Sequence, residues 1–296
     1  MIRAPDLRRS LLFVAGADGA AHKRALQSQP DVLAQDLEDL TPQQSKQAAR
    51  EMSADLFARA RASGVMSAVR VNVLSGLGMI DLATVVPAKP DIILLPKAES
   101  AQQIAALAQE IERLEAAQGM PVGQIEIVPT AETALGVINL REIVQASPRV
   151  KSCVLGAEDL AADLMAARTT QAVELAYARS RFLLECRAFG IEPIDPPYTY
   201  ADAEGCEREA RRSQQLGYRS KSTVTAAHVG VIHHVFTPSP EDIDNAGRLV
   251  AAFERARAKG QDRVLVDGLW IEPPTYLNAQ RVLERARRLD ARGPPA

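Results

Sequence analysis

Eight short β-rich runs recur along the chain at intervals of about 20 to 40 residues, and this alternation restricts the fold more than any other feature. The runs are LLFVAG (11–16), DVLAQDLED (31–39), SAVRVN (67–72), DIILLPK (91–97), QIEIVPTAET (124–133), VKSCVLG (150–156), IEPIDPP (191–197) and SKSTVT (220–225). Helical periodicity fills most of the gaps. Apolar residues recur at three- and four-residue spacing over 44–63 and 100–118, and the helices over 175–190 and 202–217 are each closed by a glycine, Gly190 and Gly217. Eight β/α units of this length predict a (β/α)8 TIM barrel, for which about 250 residues is typical. Two doubly wound domains are the alternative, but no G-x-G-x-x-G turn follows any run. Beyond the eighth run the chain predicts a helix over 238–260, a hairpin over 262–274 turning at Asp267-Gly268, and a helix over 275–292. The expected division is therefore a barrel domain, 1–237, and a C-terminal helical and hairpin extension, 238–296, serving as a lid or as an element exchanged between subunits.

Composition excludes several classes of partner. The 296 residues carry 35 basic and 37 acidic side chains, a net charge of -2, and only 4% aromatics. There is no basic face for nucleic acid and no stacking platform for single strands. The apolar run after the N-terminal arginines is too short for a signal sequence or a membrane span. Cys153, Cys186 and Cys206 lack disulfide-framework or metal-ligand spacing, as expected for reduced thiols in the cytoplasm.

The polar residues gather where a barrel does its chemistry, at the C-terminal ends of the strands. The second run ends in Asp36, Glu38 and Asp39, the third in Arg70 and Asn72, the fourth in Lys97, the fifth in Glu132 and the sixth in Glu158 and Asp159; the seventh carries Asp195 and the eighth Lys221. In a closed barrel these would converge on one rim. Acids this close are costly to bury unless a cation offsets them, and carboxylates from neighbouring strands, with room for water, suit a hard divalent ion such as Mg2+. Any single strand-end acid also has a plainer role as a helix cap or surface ion pair. Asp39 is a candidate cap, Asp163 is placed on the helix opened by Glu158-Asp159, and Lys46 and Arg50 are read as i,i+4 neighbours on a solvated helix face. Lys97 is read as a charge partner of the acids, and His228, His233 and His234 are given packing and surface roles.

The ordered segments RRSLLFVAG, DLEDLTPQQSKQAAR, VRVN, ILLPKAES, ETALGVINLREI, VLGAEDLAADL, QQLGYRSKS, VFTPSPEDIDNA and VLVDGLWIEPP resemble the HpcH/HpaI aldolase/citrate lyase family, in its citrate lyase beta-subunit-like branch with the malyl-CoA, citramalyl-CoA and citryl-CoA lyases. The resemblance covers nearly the whole chain. It implies a TIM barrel with Mg2+ held by Glu132 and Asp159. Arg70 would bind the substrate carboxylate or carbonyl oxygens and Glu38 would lie beside metal-bound water. Backbone amides after Gly156, at Ala157 and Glu158, would meet a substrate carboxylate, and Glu272 would serve acid–base chemistry from the C-terminal segment. It further implies a carbon–carbon lyase acting on a 3-hydroxy dicarboxylic acyl-CoA, in a homotrimer or hexamer. The sequence departs from the family pattern at Val14-Ala15-Gly16 in place of F-V-P-G and at Glu272 where Asp is usual. It departs again around Lys221, where Ser220 before it replaces a Gly and Thr225-Ala226 after it replace a His-Pro pair. That last loop lies on the thioester side in relatives, which keeps open a CoA-independent aldolase releasing a 2-keto acid. A subunit that binds a keto acid without turnover is the third reading.

Overall fold

The computed structural model describes residues 3–291 and separates into two compact units, one running to His234 and the other starting at Val235. The first unit is a barrel of eight parallel strands. They are β1 (Ser10–Ala15), β2 (Val32–Asp36), β3 (Met66–Arg70), β4 (Ile92–Leu95), β5 (Glu126–Ala131), β6 (Ser152–Leu155), β7 (Glu192–Ile194) and β8 (Lys221–Thr223). Each pairs with its sequence neighbour and β1 pairs with β8; a single parallel bridge, Asp195 to Lys221, closes the ring. The alternation of the sequence is thus realised as a (β/α)8 barrel.

Period two along each strand decides which side chains fill the interior. Leu11, Phe13, Val32, Ala34, Met66, Ala68, Ile92, Leu94, Val128, Val154 and Ile194 form one buried cluster inside the ring. Continuing that face two residues onward reaches Asp36 and Arg70, which are register partners at the ends of β2 and β3. The same rule sends Asp195, one residue past inward-facing Ile194, to the outside. Lys221 pairs in register with Ser10, whose neighbour Leu11 faces inward, so it too points outward. The expectation that Asp195 and Lys221 join the rim is corrected accordingly. Lys221 Nζ donates to Asp195 (2.7 Å), Glu209 (2.6 Å) and the Pro196 carbonyl (2.6 Å), and Arg179 pairs with Asp195 at 2.8 Å. Burial would raise the Asp195 carboxyl, but Arg179 and Lys221 hold it below the usual range. This buried network ties β7 and β8 to the helices Ala176–Ala188 and Ala203–Leu216.

At the opposite end of the barrel Arg8 makes a bidentate pair with Glu126, which also accepts from Ser152. Charges at that face hold the fold together, in keeping with the division of labour in such barrels. The second unit contains the helix Pro240–Arg257, a hairpin of Val264–Val266 with Leu269–Ile271, and the helix Pro273–Asp290. Asp267 and Gly268 both take positive φ, 49° and 81°, as a two-residue hairpin turn requires. No helix among the described residues is long and apolar enough to cross a membrane.

Replacing Lys221 by Met leaves Asp195 and Glu209 facing one another with only Arg179 between them. Breaking a buried pair from one side costs about 3–5 kcal/mol. Urea unfolding of Lys221→Met should show a loss of that order, and a loss under about 1 kcal/mol would mean the network contributes little.

Candidate active site

The acid-rich stretch after β2 resolves into three different roles. Asp36 is fully buried and its carboxylate accepts four hydrogen bonds, from Arg70 Nε (3.0 Å) and Nη2 (2.5 Å) and from the amides of Glu38 (2.7 Å) and Leu40 (3.1 Å). It therefore folds the turn that follows it and fixes the guanidinium at the same time. Glu38 is 7% exposed and turns toward the site, where Lys97 Nζ lies 2.9 Å from its Oε1. Asp39 is exposed and opens no helix; the 3-10 turn that follows starts at Gln43 and has no side-chain cap.

Behind this turn sits a polar scaffold that the sequence reading placed wrongly. Lys46 and Arg50 are buried rather than solvated. The Lys46 ammonium donates to the carbonyls of Leu37 (2.9 Å) and Glu38 (3.1 Å) and to Asn72 Oδ1 (2.5 Å). Asn72 in turn donates to the Leu37 carbonyl and to Asp81, and Asp81 accepts from Arg50. Every hydrogen of a buried ammonium is satisfied without a carboxylate partner, which fixes the backbone that carries Glu38. The helical spacing of Ala49, Ser53, Leu56 and Phe57 marks this face as buried and could have located Arg50 on it.

Arg70 is held so that one edge stays open. Its Nε and Nη2 are taken by Asp36, and the Phe13 ring lies 5.2 Å from its Cζ. Nη1 approaches Glu38 Oε2 at 3.2 Å, yet Oε2 accepts no hydrogen bond among the described residues. The approach is an ion pair without hydrogen-bond alignment. Burial acts to lower the Arg70 pKa, but Asp36, Glu38 and Glu132 together raise it, so the guanidinium stays charged.

Glu132 follows β5 and is 2% exposed. Its Oε1 accepts the Lys97 amide at 2.7 Å. A Cβ added to Gly156, at the end of β6, would fall 2.4 Å from Glu132 Cβ and 2.8 Å from its Oε2, so only glycine lets that backbone pass. Burial pushes the Glu132 carboxyl up to about 8; Arg70 and the Lys97 amide oppose the rise, while the charges of Asp159 and Glu38 add to it. Burial likewise raises Glu38 against the pull of Arg70 and Lys97. Lys97 is raised by its hydrogen bond to Glu38, with Asp159 among the charges acting on it. Asp159 is half-buried on the helix Glu158–Asp163, whose Asp163 accepts the Ala134 amide. Ala157 is the buried residue preceding that helix, and the exposed Glu158 carboxylate accepts from Arg168 (3.0 Å) and Thr199 (2.8 Å).

Arg70, Glu38, Glu132, Asp159, Gly156 and Lys97 are thus all placed by the rim of the first unit. Glu272 belongs to the second unit, exposed at the start of the helix Pro273–Asp290, where its side chain caps nothing. Among the described residues no group of three or more His, Cys, Asp or Glu side chains is arranged to hold a metal. Two carboxylates nevertheless fit Mg2+, which keeps several waters or substrate oxygens in its shell. A divalent cation beside Glu132 and Asp159 would also offset the cost of ionising a carboxyl this deeply buried.

Comparison with known proteins shows what this chain is similar to. The family model described as HpcH/HpaI aldolase/citrate lyase matches residues 9–226. The citrate lyase subunit beta of Haemophilus influenzae is 34% identical over 95% of this chain and 97% of its own length. A (3S)-malyl-CoA thioesterase of Cereibacter sphaeroides is 30% identical over 96% of each chain. Among solved structures, the CitE protein of Mycobacterium tuberculosis in complex with magnesium, acetoacetate and coenzyme A superposes with a TM-score of 0.76 at 26% identity, covering 94% of this chain and 97% of that one.

Gly156→Ala should force Glu132 aside. Overpacking of this kind costs about 1–3 kcal/mol. Chemical denaturation should show that loss, and wild-type stability in the variant would mean the approach of Gly156 to Glu132 is not tight.

Proposed function

The chain belongs to the HpcH/HpaI aldolase/citrate lyase family, and from that premise we propose that it cleaves, or in reverse forms, a 3-hydroxy dicarboxylic acyl-CoA such as malyl-, citramalyl- or citryl-CoA. It is a Mg2+-dependent carbon–carbon lyase of the citrate lyase beta-subunit-like kind. The single observation that carries the substrate reading is the pairing of an open guanidinium edge on Arg70 with the buried carboxylates of Glu132 and Glu38 on one rim.

In this reading Glu132 and Asp159 hold the ion, which when bound polarises the oxygen on the carbon whose bond breaks. Arg70 Nη1 receives the carboxylate of the departing keto acid and offsets charge that grows there as the bond opens. Amides at Ala157 and Glu158, after Gly156, receive a second carboxylate. Glu38 orients water and substrate oxygen beside Arg70. As the bond between the acyl α-carbon and the carbinol carbon breaks, the carbinol hydroxyl gives its proton to the water beside Glu38 and becomes the keto oxygen, and the bonding electron pair passes to the thioester fragment. That α-carbon must take a proton, and we assign the transfer to Glu272 on the resemblance of its I-E-P-P motif. The carboxylate there is one methylene longer than the usual Asp. A homotrimeric or hexameric assembly in the cytoplasm, with the C-terminal segment as a lid or exchanged element, completes the proposal.

The altered loop after Lys221 supports a second reading, a CoA-independent aldolase that releases a 2-keto acid. The third reading, keto-acid binding without turnover, would leave Glu132, Asp159 and Arg70 in place.

Purified protein incubated with Mg2+ and a panel of acyl-CoA esters and free hydroxy acids separates these readings. Keto acid released from thioesters only is the expected result. Release from free acids supports the aldolase, free CoA thiol without keto acid indicates thioester hydrolysis, and Mg2+-dependent keto-acid binding without turnover supports the third reading. Glu132→Gln and Asp159→Asn should each lower Mg2+-dependent turnover by about 100-fold or more with the fold intact. Full activity in either would show that the metal ligands lie elsewhere. Glu272→Gln should slow turnover more than it weakens Mg2+ binding, and an unchanged rate would remove Glu272 from the mechanism.

A further inference from the structure

We propose that Lys97 is a positioning residue that sets both acids of the site, its main-chain amide aiming Glu132 and its ammonium holding Glu38 out of a hydrogen bond to Arg70, so that Nη1 can donate to a keto-acid carboxylate. This deepens the function proposed above and rests on it.

Lys97 takes φ 49°, a left-handed conformation that lysine rarely adopts. It follows Pro96 at the end of β4, in a turn pinned on its far side by the Ala98 amide on the Thr130 carbonyl (3.1 Å). The conformation has a visible consequence: the Lys97 amide lies 2.7 Å from Glu132 Oε1. It is the one hydrogen bond that Glu132 accepts among the described residues. Backbone strain kept at such a place points to a functional constraint.

The side chain acts in the other direction. The ammonium, on a 39% exposed side chain, reaches across the rim to Glu38 Oε1 at 2.9 Å. Glu38 Oε2 stays at 3.2 Å from Arg70 Nη1 with no hydrogen bond formed. Without the ammonium the carboxylate has only one cation near it, and it would close onto Nη1 as a charge-assisted hydrogen bond. The donor that is free to meet a ligand carboxylate would then be occupied from within. The ion pair also pulls the turn into its left-handed form, so the two effects are linked through one residue.

Three substitutions separate these effects. Lys97→Gly removes the ammonium and favours the left-handed turn. Lys97→Met removes the ammonium and keeps a Cβ that opposes it. Lys97→Arg keeps the charge. Calorimetric titration with MgCl2, then with pyruvate and with oxaloacetate at saturating Mg2+, reads metal and keto-acid affinity without turnover. We expect both keto acids to bind about tenfold more weakly to Lys97→Gly and Lys97→Met, with Lys97→Arg restoring most of the loss. Mg2+ affinity should stay within about twofold in Lys97→Gly and fall about fivefold in Lys97→Met. A general loss of structure would move both ligands together in both variants and would not be rescued by arginine. Unchanged keto-acid binding in Lys97→Met overturns the role of the ammonium, and equal Mg2+ affinity in the Gly and Met variants overturns the role of the amide. Glu132→Gln serves as the control. If it loses Mg2+ binding while the Lys97 variants behave as wild type, only the present inference fails; if it binds Mg2+ normally, the proposed metal site fails and this inference with it.

Discussion

The guanidinium of Arg70 is the interaction on which the rim of the barrel depends. Asp36, Glu38 and Glu132 are all buried within reach of its charge, and burying so many carboxylates is tolerable only where cations and donors offset them. The compensation is graded. The Asp36 carboxylate has four hydrogen bonds, two of them from Arg70. Glu38 shares Arg70 with Lys97 and keeps one oxygen without a hydrogen bond. Glu132 has only an amide and the more distant field of Arg70. Compensation therefore falls from Asp36 to Glu132, and the cost of ionising a carboxyl is greatest at Glu132, where with Asp159 the divalent ion is proposed to bind.

Strand parity keeps this arrangement apart from the other buried charges. Asp36 and Arg70 continue the inward face, whereas Asp195 and Lys221 lie on the outward face and pair with Arg179 and Glu209 from the surrounding helices. Arg8 and Glu126 close the opposite end. These three charged clusters occupy separate places, and of the three it is the one at the C-terminal rim that leaves a carboxylate oxygen, Glu38 Oε2, without a hydrogen bond. A network that satisfies all of its members stabilises the fold; a network that leaves Glu38 Oε2 without a hydrogen bond and Arg70 Nη1 in an ion pair alone is suited to receive a ligand.

Much of this was legible in the sequence. The eight runs and their spacing gave the barrel, and the positions of Arg70, Glu132 and Asp159 at run ends gave the rim. The hairpin was legible from Asp267-Gly268 because a two-residue turn demands positive φ. Other features were hidden for physical reasons. Runs seven and eight extend three and two residues past the ends of β7 and β8, which obscures the parity that turns Asp195 and Lys221 outward. Lys46 looked solvated because lysine usually is, and only the folded turn brings two carbonyls and Asn72 to its ammonium. The short helices Gly19–Gln27, Met79–Val85 and His228–Phe236 give too few turns for a clear period.

The two acids most central to the proposed chemistry are held by different means. Glu132 is fixed by main-chain atoms on either side, the Lys97 amide from the end of β4 and the Cα of Gly156 from the end of β6. Glu38 is oriented by side chains, those of Lys97 and Arg70 directly and that of Lys46 through the carbonyls of its turn. Main-chain geometry follows from the barrel itself, so the carboxylate assigned to the metal persists wherever the strands keep their register. The part of the rim assigned to the keto acid depends on individual side chains and can change without disturbing the strands. A barrel built this way can keep its metal chemistry while the loops around it, such as the Thr225-Ala226 segment after β8, alter what substrate it accepts.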